Sequence, residues 1–84
     1  MGSWPAGTYH QLGSIAEEQR DFSTAGQSFI KGLARFDRQN DAHNAQMCAR
    51  SFLAVYQQAD ETIQARLKAL WEQAGFGALP TEEI

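Results

Sequence analysis

The sequence predicts an all-α fold in which four helices form two stacked antiparallel hairpins. Its two prolines, Pro5 and Pro80, lie near the ends of the 84 residues, so no proline between them removes a helical amide donor. Alanine and glutamine are abundant and β-branched residues are sparse, which favours helices over strands. Apolar residues recur at helical spacing in four segments. The polar breaks between these segments are short, which forces neighbouring helices into antiparallel pairs.

The first helix is expected over residues 8–19. Thr8 and Gln11 have the spacing of a capping box, which predicts that the helix begins near Thr8. Asp21 follows this helix and is a residue type that caps the next one. The apolar residues of the helix share one face. They are Tyr9, Leu12 and Ala16.

The second helix is expected over residues 22–38, and Asp41 after it is placed to cap the third. Gly26 lies in the middle of the second helix, where glycine costs about 1 kcal/mol relative to alanine, and the sequence gives no reason for it. An unbroken apolar stripe rich in phenylalanine runs along the helix and indicates strong packing. It consists of Phe22, Ala25, Phe29, Leu33 and Phe36.

The third helix is expected over residues 42–58. Apolar side chains cover more than half of its circumference, which predicts that it is sandwiched between neighbouring helices. Cys48 lies among these apolar residues and is expected to be a buried, unreactive thiol, because no basic partner is placed to lower its pKa.

The fourth helix is expected over residues 61–74, with Asp60 as its cap. Gly75 fits the left-handed residue that ends a helix, and Phe76 fits the apolar residue that folds back onto it. Trp71 has two interpretations. It either completes the apolar stripe of this helix or lies on an end face that another repeat or chain covers.

Length and charge limit the organisation and the partners of the chain. One domain is expected over residues 8–76, with repeats at 8–38 and 41–75. Residues 1–7 are expected to be flexible, with a start of the kind that expression vectors add, and residues 77–84 form a flexible tail. A net charge of −3 without a cluster of lysines and arginines predicts no nucleic-acid and no membrane partner. A single cysteine and the lack of a secretory signal predict a cytoplasmic protein.

The chain matches itself at an offset of 40 residues. Leu12 then aligns with Phe52, and Ile15 aligns with Val55. This match indicates one helical hairpin written twice. A hairpin of this kind cannot cover its own apolar faces, so the two hairpins are expected to stack.

The first hairpin resembles a tetratricopeptide repeat (TPR). The resemblance is carried by Tyr9-His10-Gln11-Leu12-Gly13-Ser14-Ile15-Ala16, followed by Ala25, Phe29 and Gly32. These residues supply the aromatic, Leu-Gly, small and second aromatic positions of the family pattern. The longer period is similar to that of repeats in large bacterial signalling proteins, which makes a fragment of such a protein one interpretation.

The second repeat departs from the pattern. Leu53 replaces the glycine and Ala69 replaces the second aromatic. In the first repeat, Ala16 stands where the family often has tyrosine, and Asp37 where it often has proline.

The resemblance implies a right-handed solenoid fragment that acts as a non-catalytic scaffold and presents a groove to a partner peptide or protein. The first helix of each hairpin lines this groove. The matching positions are Gly7, His10, Ser14 and Glu17 in the first repeat and Met47, Arg50, Ala54 and Gln57 in the second. The structural core is expected to contain Tyr9, Leu12, Gly13, Ala25, Phe29, Leu33, Phe52, Tyr56, Leu67 and Trp71.

The sequence predicts no enzyme, no cofactor and no metal. His10 and His43 are the only histidines, and a metal site would need further ligands that converge on them, so both are better interpreted as solvated or groove-lining. The adjacent carboxylates Glu17 and Glu18 are better explained as a solvated helix end than as an acid–base pair. Two alternatives to the scaffold remain: a homodimeric module whose exposed ends pair, and a small enzyme or metal-binding bundle.

Overall fold

A computed structural model describes residues 5–79, apart from the side chain of Ala6. This part of the chain contains four helices and no strand, which confirms the all-α prediction. The bounds of the second and third helices are those predicted from the sequence. The helices are α1 (Ala6–Glu18), α2 (Phe22–Arg38), α3 (Ala42–Gln58) and α4 (Glu61–Gln73).

Three helices begin at the aspartates that the sequence predicts as caps. Oδ1 of Asp21, Asp41 and Asp60 accepts a hydrogen bond from the backbone N–H three residues further on, at 3.3, 3.2 and 3.0 Å respectively. Each bond satisfies one of the donors that the first turn of a helix leaves unpaired. The three caps are therefore confirmed.

The start of α1 differs from the prediction. The helix begins at Ala6, with Pro5 at the capping position and no side-chain cap. The carbonyl oxygen of Pro5 accepts from the backbone N–H of Thr8 at 3.0 Å. The capping box at Thr8 and Gln11 is wrong, because Thr8 already lies inside the first turn. The helix also reaches into residues 1–7, which the sequence predicts to be flexible; residues 1–4 lie outside the described part of the chain.

The α1–α2 and α2–α3 connections are the same turn, 20 residues apart. Arg20 and Asn40 occupy the left-handed region, with φ of 63° and 57°. The backbone N–H of the next residue, Asp21 or Asp41, reaches back five residues to a carbonyl oxygen at 2.9 Å in both cases. This is the Schellman arrangement, which satisfies carbonyls that the last helical turn leaves unpaired. The α3–α4 connection is different, since Ala59 and Asp60 are both extended.

The core forms around α2, which packs against α1, α3 and α4. Among the predicted core residues, Tyr9, Leu12 and Tyr56 are half-buried. The others are buried: Gly13, Ala25, Phe29, Leu33, Phe52, Leu67 and Trp71. Trp71 lies inside the core with 6% of its surface exposed, and its ring lies 5.3 Å from that of Phe52. The first interpretation of Trp71, as part of the core stripe, is confirmed.

The end of α4 follows the prediction and then continues beyond it. Gly75 adopts a φ of 91°, and Phe76 folds back so that its ring lies 5.2 Å from that of Trp71. Leu79 is only 9% exposed and belongs to the core cluster. The packed unit therefore reaches Leu79, inside the tail that the sequence predicts to be flexible, because burial of this apolar side chain against the core is favourable. The rest of that tail, residues 80–84, lies outside the described residues.

Two glycines mark close approaches between helices. A methyl group at Gly13 of α1 would lie 2.7–2.9 Å from three ring atoms of Phe29 in α2. A methyl group at Gly26 of α2 would collide with Cδ2 of Leu67 in α4 and lie 3.2 Å from its Cγ. Gly26, which the sequence left unexplained, is therefore the place where α4 meets α2.

The second hairpin does not reproduce the first in detail. Leu53 stands at the position that matches Gly13, and α4 packs less closely on α3 than α2 packs on α1. A leucine at that position holds two helices further apart than a glycine does. The four-helix hairpin packing is present, whereas the right-handed TPR-like solenoid stays a prediction.

We predict that Gly13→Ala destabilises the protein although alanine is the better helix former. The added methyl group meets the rigid, fully buried ring of Phe29, and overpacking of this kind costs about 1–3 kcal/mol. Gly7→Ala is the matched control, because no atom lies within 4 Å of its added methyl group. Urea unfolding should show a loss of stability for Gly13→Ala and none for Gly7→Ala. Equal stability of the two variants would contradict the close contact.

We also predict that Gly26 and Leu67 are energetically coupled. Gly26→Ala should destabilise the wild-type protein, because Leu67 is fully buried and has little room to move. In a Leu67→Val background the clashing Cδ atoms are absent, so Gly26→Ala should lower the free energy of unfolding by less. We expect a coupling free energy of about 0.5–3 kcal/mol between the two substitutions. A double-mutant cycle by urea unfolding measures this coupling. Additive effects of the two substitutions would mean that a methyl group at position 26 does not contact the side chain of Leu67.

Alkaline pH should weaken the fold through Cys48. Burial raises the pKa of the Cys48 thiol from 9.0 to about 11. Below pH 9 the thiol is neutral in the folded and in the unfolded chain, so it does not make the free energy of unfolding depend on pH. Between pH 9 and pH 11 it ionises in the unfolded chain alone, so the free energy of unfolding falls by up to about 1.4 kcal/mol per pH unit. Cys48→Ala should remove that part of the slope; an identical slope in the variant would contradict the assignment.

Candidate functional site

Helices α1 and α3 lie side by side and run in the same direction. Nε2 of His10 and Oγ of Ser51 share a hydrogen bond of 3.3 Å, and Nε2 of Gln58 donates to Oε2 of Glu17 at 3.0 Å. Both bonds join residues 41 apart, although they lie about two helical turns from each other. A constant difference in residue number requires parallel helices, since antiparallel helices would keep the sum constant. The first helices of the two hairpins therefore share one surface, which we call the α1–α3 face.

The α1 side of this face is half-buried and engaged in bonds within the chain. His10 packs on the core ring of Phe29, with ring centroids 5.2 Å apart. The hydroxyl of Ser14 donates to the backbone carbonyl of His10 at 3.1 Å, and Glu17 accepts from Gln58. These side chains are held in place by the fold. His10 is also part of the packing, so its replacement would perturb both surface and core.

The α3 side of the face is exposed. Its residues follow one another at spacings of four and three, which places them on one stripe of the helix. We call this the α3 stripe. It consists of His43, Met47, Arg50, Ala54 and Gln57, all exposed. Met47 stands out, because 39% of this large apolar side chain is accessible.

A cleft of about 400 Å³ lies at the N-terminal half of the α3 stripe. Two of its lining residues carry N–H donors that are positively charged or can become so, His43 and Arg50. Met47 supplies flexible apolar surface of the kind that adapts to different partners. The lining residues are His43, Gln46, Met47, Arg50 and Ser51. Because Ser51 bonds to His10, the cleft adjoins the seam between α1 and α3.

The charges around the cleft are unevenly distributed. Within residues 5–79, Arg50 has neither a hydrogen bond nor an ion pair. The carboxylate of Asp41, at the start of α3, accepts hydrogen bonds from the side-chain and backbone N–H groups of Asn44 at 2.8 and 3.2 Å. These bonds hold the pKa of the Asp41 carboxyl below its ordinary value, and the charge of His43 lowers it further. The cleft therefore presents an unpaired guanidinium beside an apolar side chain.

The predicted groove residues divide into two groups. His10, Ser14 and Glu17 line the α1–α3 seam and have partners within the chain, whereas Met47, Arg50 and Gln57 are exposed on α3. The sequence interpretation of His43 was a solvated or groove-lining histidine, and the structure places it in the cleft, one turn before Met47 on the same stripe. The sequence reasoning missed three other residues of this surface: Gln46, Ser51 and Gln58.

Metal ligands, membrane-spanning helices and similarity to known proteins would each be evidence for other functions. Within residues 5–79, no group of three or more His, Cys, Asp or Glu side chains is arranged to hold a metal ion. The helices in this part of the chain all lack the length and apolar character needed to cross a bilayer. Comparisons with protein-family models, with curated proteins and with solved structures give no match.

Proposed function

We propose that the chain is a non-catalytic protein-interaction module that binds a partner peptide or protein on its α1–α3 face. The observation that carries this proposal is the parallel pairing of α1 with α3, which sets an exposed stripe beside a fixed polar seam. A surface that is already formed before binding loses less conformational entropy when the partner docks. Met47 and Arg50 are the side chains that we expect to contribute most, since methionine and arginine are enriched in interfaces.

The proposal includes a TPR-like origin of the fold and a role in the cytoplasm of a bacterium. A fragment of a larger TPR signalling protein is an alternative. The contact of Gly13 with Phe29 supports the TPR-like part, since the family pattern requires such a close approach between the helices of a hairpin. The parallel direction of α1 and α3 agrees with the sequence match at an offset of 40 residues, since the first helices of two stacked repeats run the same way. The different α3–α4 connection and the leucine at position 53 are departures from that pattern.

The test is a comparison of proteins captured by variants of the full chain from a lysate of the source cell. Met47→Asp combined with Arg50→Ala should remove a partner that the wild type captures. Gln27→Asp combined with Lys31→Ala is the matched control, because it changes the net charge equally at exposed positions of α2. The control should retain the partner. Both pairs are exposed, so circular dichroism should show folded protein in every case.

The proposal fails if every captured protein is lost or kept equally by the two double variants. Equal loss would place binding outside the α1–α3 face, and equal retention would show that Met47 and Arg50 do not contribute.

A homodimeric module is the alternative, and one observation favours it. Ile15 of α1 is 51% exposed, whereas Val55, its counterpart in α3, is fully buried. The outward face of α1 therefore lacks a cover that the matching face of α3 has. Light scattering over a range of concentrations separates the two ideas. A dimer that Ile15→Glu dissociates would support the alternative, and a monomer at all concentrations would remove it.

A further inference from the structure

The cleft on α3 has the donor set of a site for a negatively charged group. Arg50, His43 and Gln46 all present N–H groups to it, and within residues 5–79 no carboxylate lines it. A guanidinium binds a carboxylate through two parallel hydrogen bonds, which gives both strength and direction. Arg50 is free to do so, because within the described residues nothing else pairs with it.

The apolar part of the cleft restricts the ligand further. Met47 lies between His43 and Arg50 on the stripe and keeps 39% of its surface exposed. A small anion would use Arg50 and leave Met47 uncovered. A peptide that places an apolar side chain next to its carboxylate would cover both, and burial of apolar surface adds to the affinity.

The stripe also continues past the cleft. Ala54 and Gln57 extend it for two further turns at exposed positions. A chain bound in the cleft can therefore continue along α3, which suits an acidic residue within a peptide better than a carboxylate at its end.

A second cleft of about 250 Å³ between α2 and α4 provides a comparison. It is lined by Gln27, Arg66, Ala69, Leu70 and Gln73. It also contains an exposed arginine, but it is smaller and has neither a histidine nor an exposed methionine. Arg66 is thus a matched control for Arg50.

We propose that the α3 cleft binds an Asp or Glu side chain within a partner peptide, held by Arg50 and His43, with a neighbouring apolar residue of that peptide packed on Met47. This inference rests on the proposed function and specifies its ligand class. It goes beyond that function because a scaffold surface need not prefer any charge.

The experiment is a selection of peptides from a random phage-displayed 12-residue library on the immobilised 84-residue chain. An extended peptide of this length reaches about 40 Å, which more than spans the roughly 21 Å of the stripe. We expect selected peptides to contain an acidic residue beside an apolar one. A synthetic peptide from the selection, with an amidated C-terminus, should bind with an affinity that falls about tenfold or more with Arg50→Gln. It should be unaffected by Arg66→Gln. Replacement of its acidic residue by the matching amide should have a similar effect to Arg50→Gln, with no further loss when the two are combined.

The outcomes separate the two proposals. Peptides that depend on Met47 but show no acidic preference, or that bind Arg50→Gln as well as wild type, overturn the acidic ligand and leave the interaction surface standing. A requirement for a free C-terminal carboxylate overturns the internal acidic residue. Selected peptides that Met47→Asp and Arg50→Gln both leave unchanged overturn the acidic ligand and argue against the α1–α3 face as well.

Discussion

The fold depends on how closely α2 can approach its neighbours. The ring of Phe29 lies where a side chain on Gly13 would be, and Leu67 lies where a side chain on Gly26 would be. The lack of a side chain at these two glycines lets α1 and α4 pack closely on α2, in which Ala25 and Phe29 are fully buried. In a chain of only 84 residues, buried area is scarce, so each close contact is a large part of what holds the helices together.

The position of α2 also produces the candidate site. Because α1 and α3 both pack on α2, they are brought next to each other with the same direction, and polar side chains meet at their seam. His10 links the core to the candidate site. Its ring packs on Phe29 in the core, and its Nε2 bonds to Ser51 at the edge of the cleft. The α1 side of the face is thus held by the core, and the side chains of Met47 and Arg50 are its exposed part.

Much of the fold was predictable from the sequence because its signals are local. The aspartate caps, the left-handed Gly75 and the phenylalanine stripe each act within a few residues of themselves. What was not predictable depends on neighbours far along the chain. The glycine at position 26 is explained only by its close contact with Leu67 of α4. The burial of Leu79 against the core is not indicated by any periodic pattern in the sequence. The site was half predictable: the family resemblance and the offset of 40 residues placed Met47, Arg50, Ala54 and Gln57 together on α3. Only the packing shows that His10 and Glu17 already have partners within the chain.

The same contacts explain why the two halves of the chain are similar without being copies. At the offset of 40 residues, Gly13 corresponds to Leu53, and Gly26 corresponds to Arg66, which is exposed. The second hairpin therefore cannot close as the first does, because the glycine that permits the approach is missing from α3. Instead α4 turns toward α2, where Gly26 provides the space. The parallel arrangement of α1 and α3 is the relationship that gives these two helices a shared face. It does not depend on how closely the helices of each hairpin approach one another, since both α1 and α3 pack on α2.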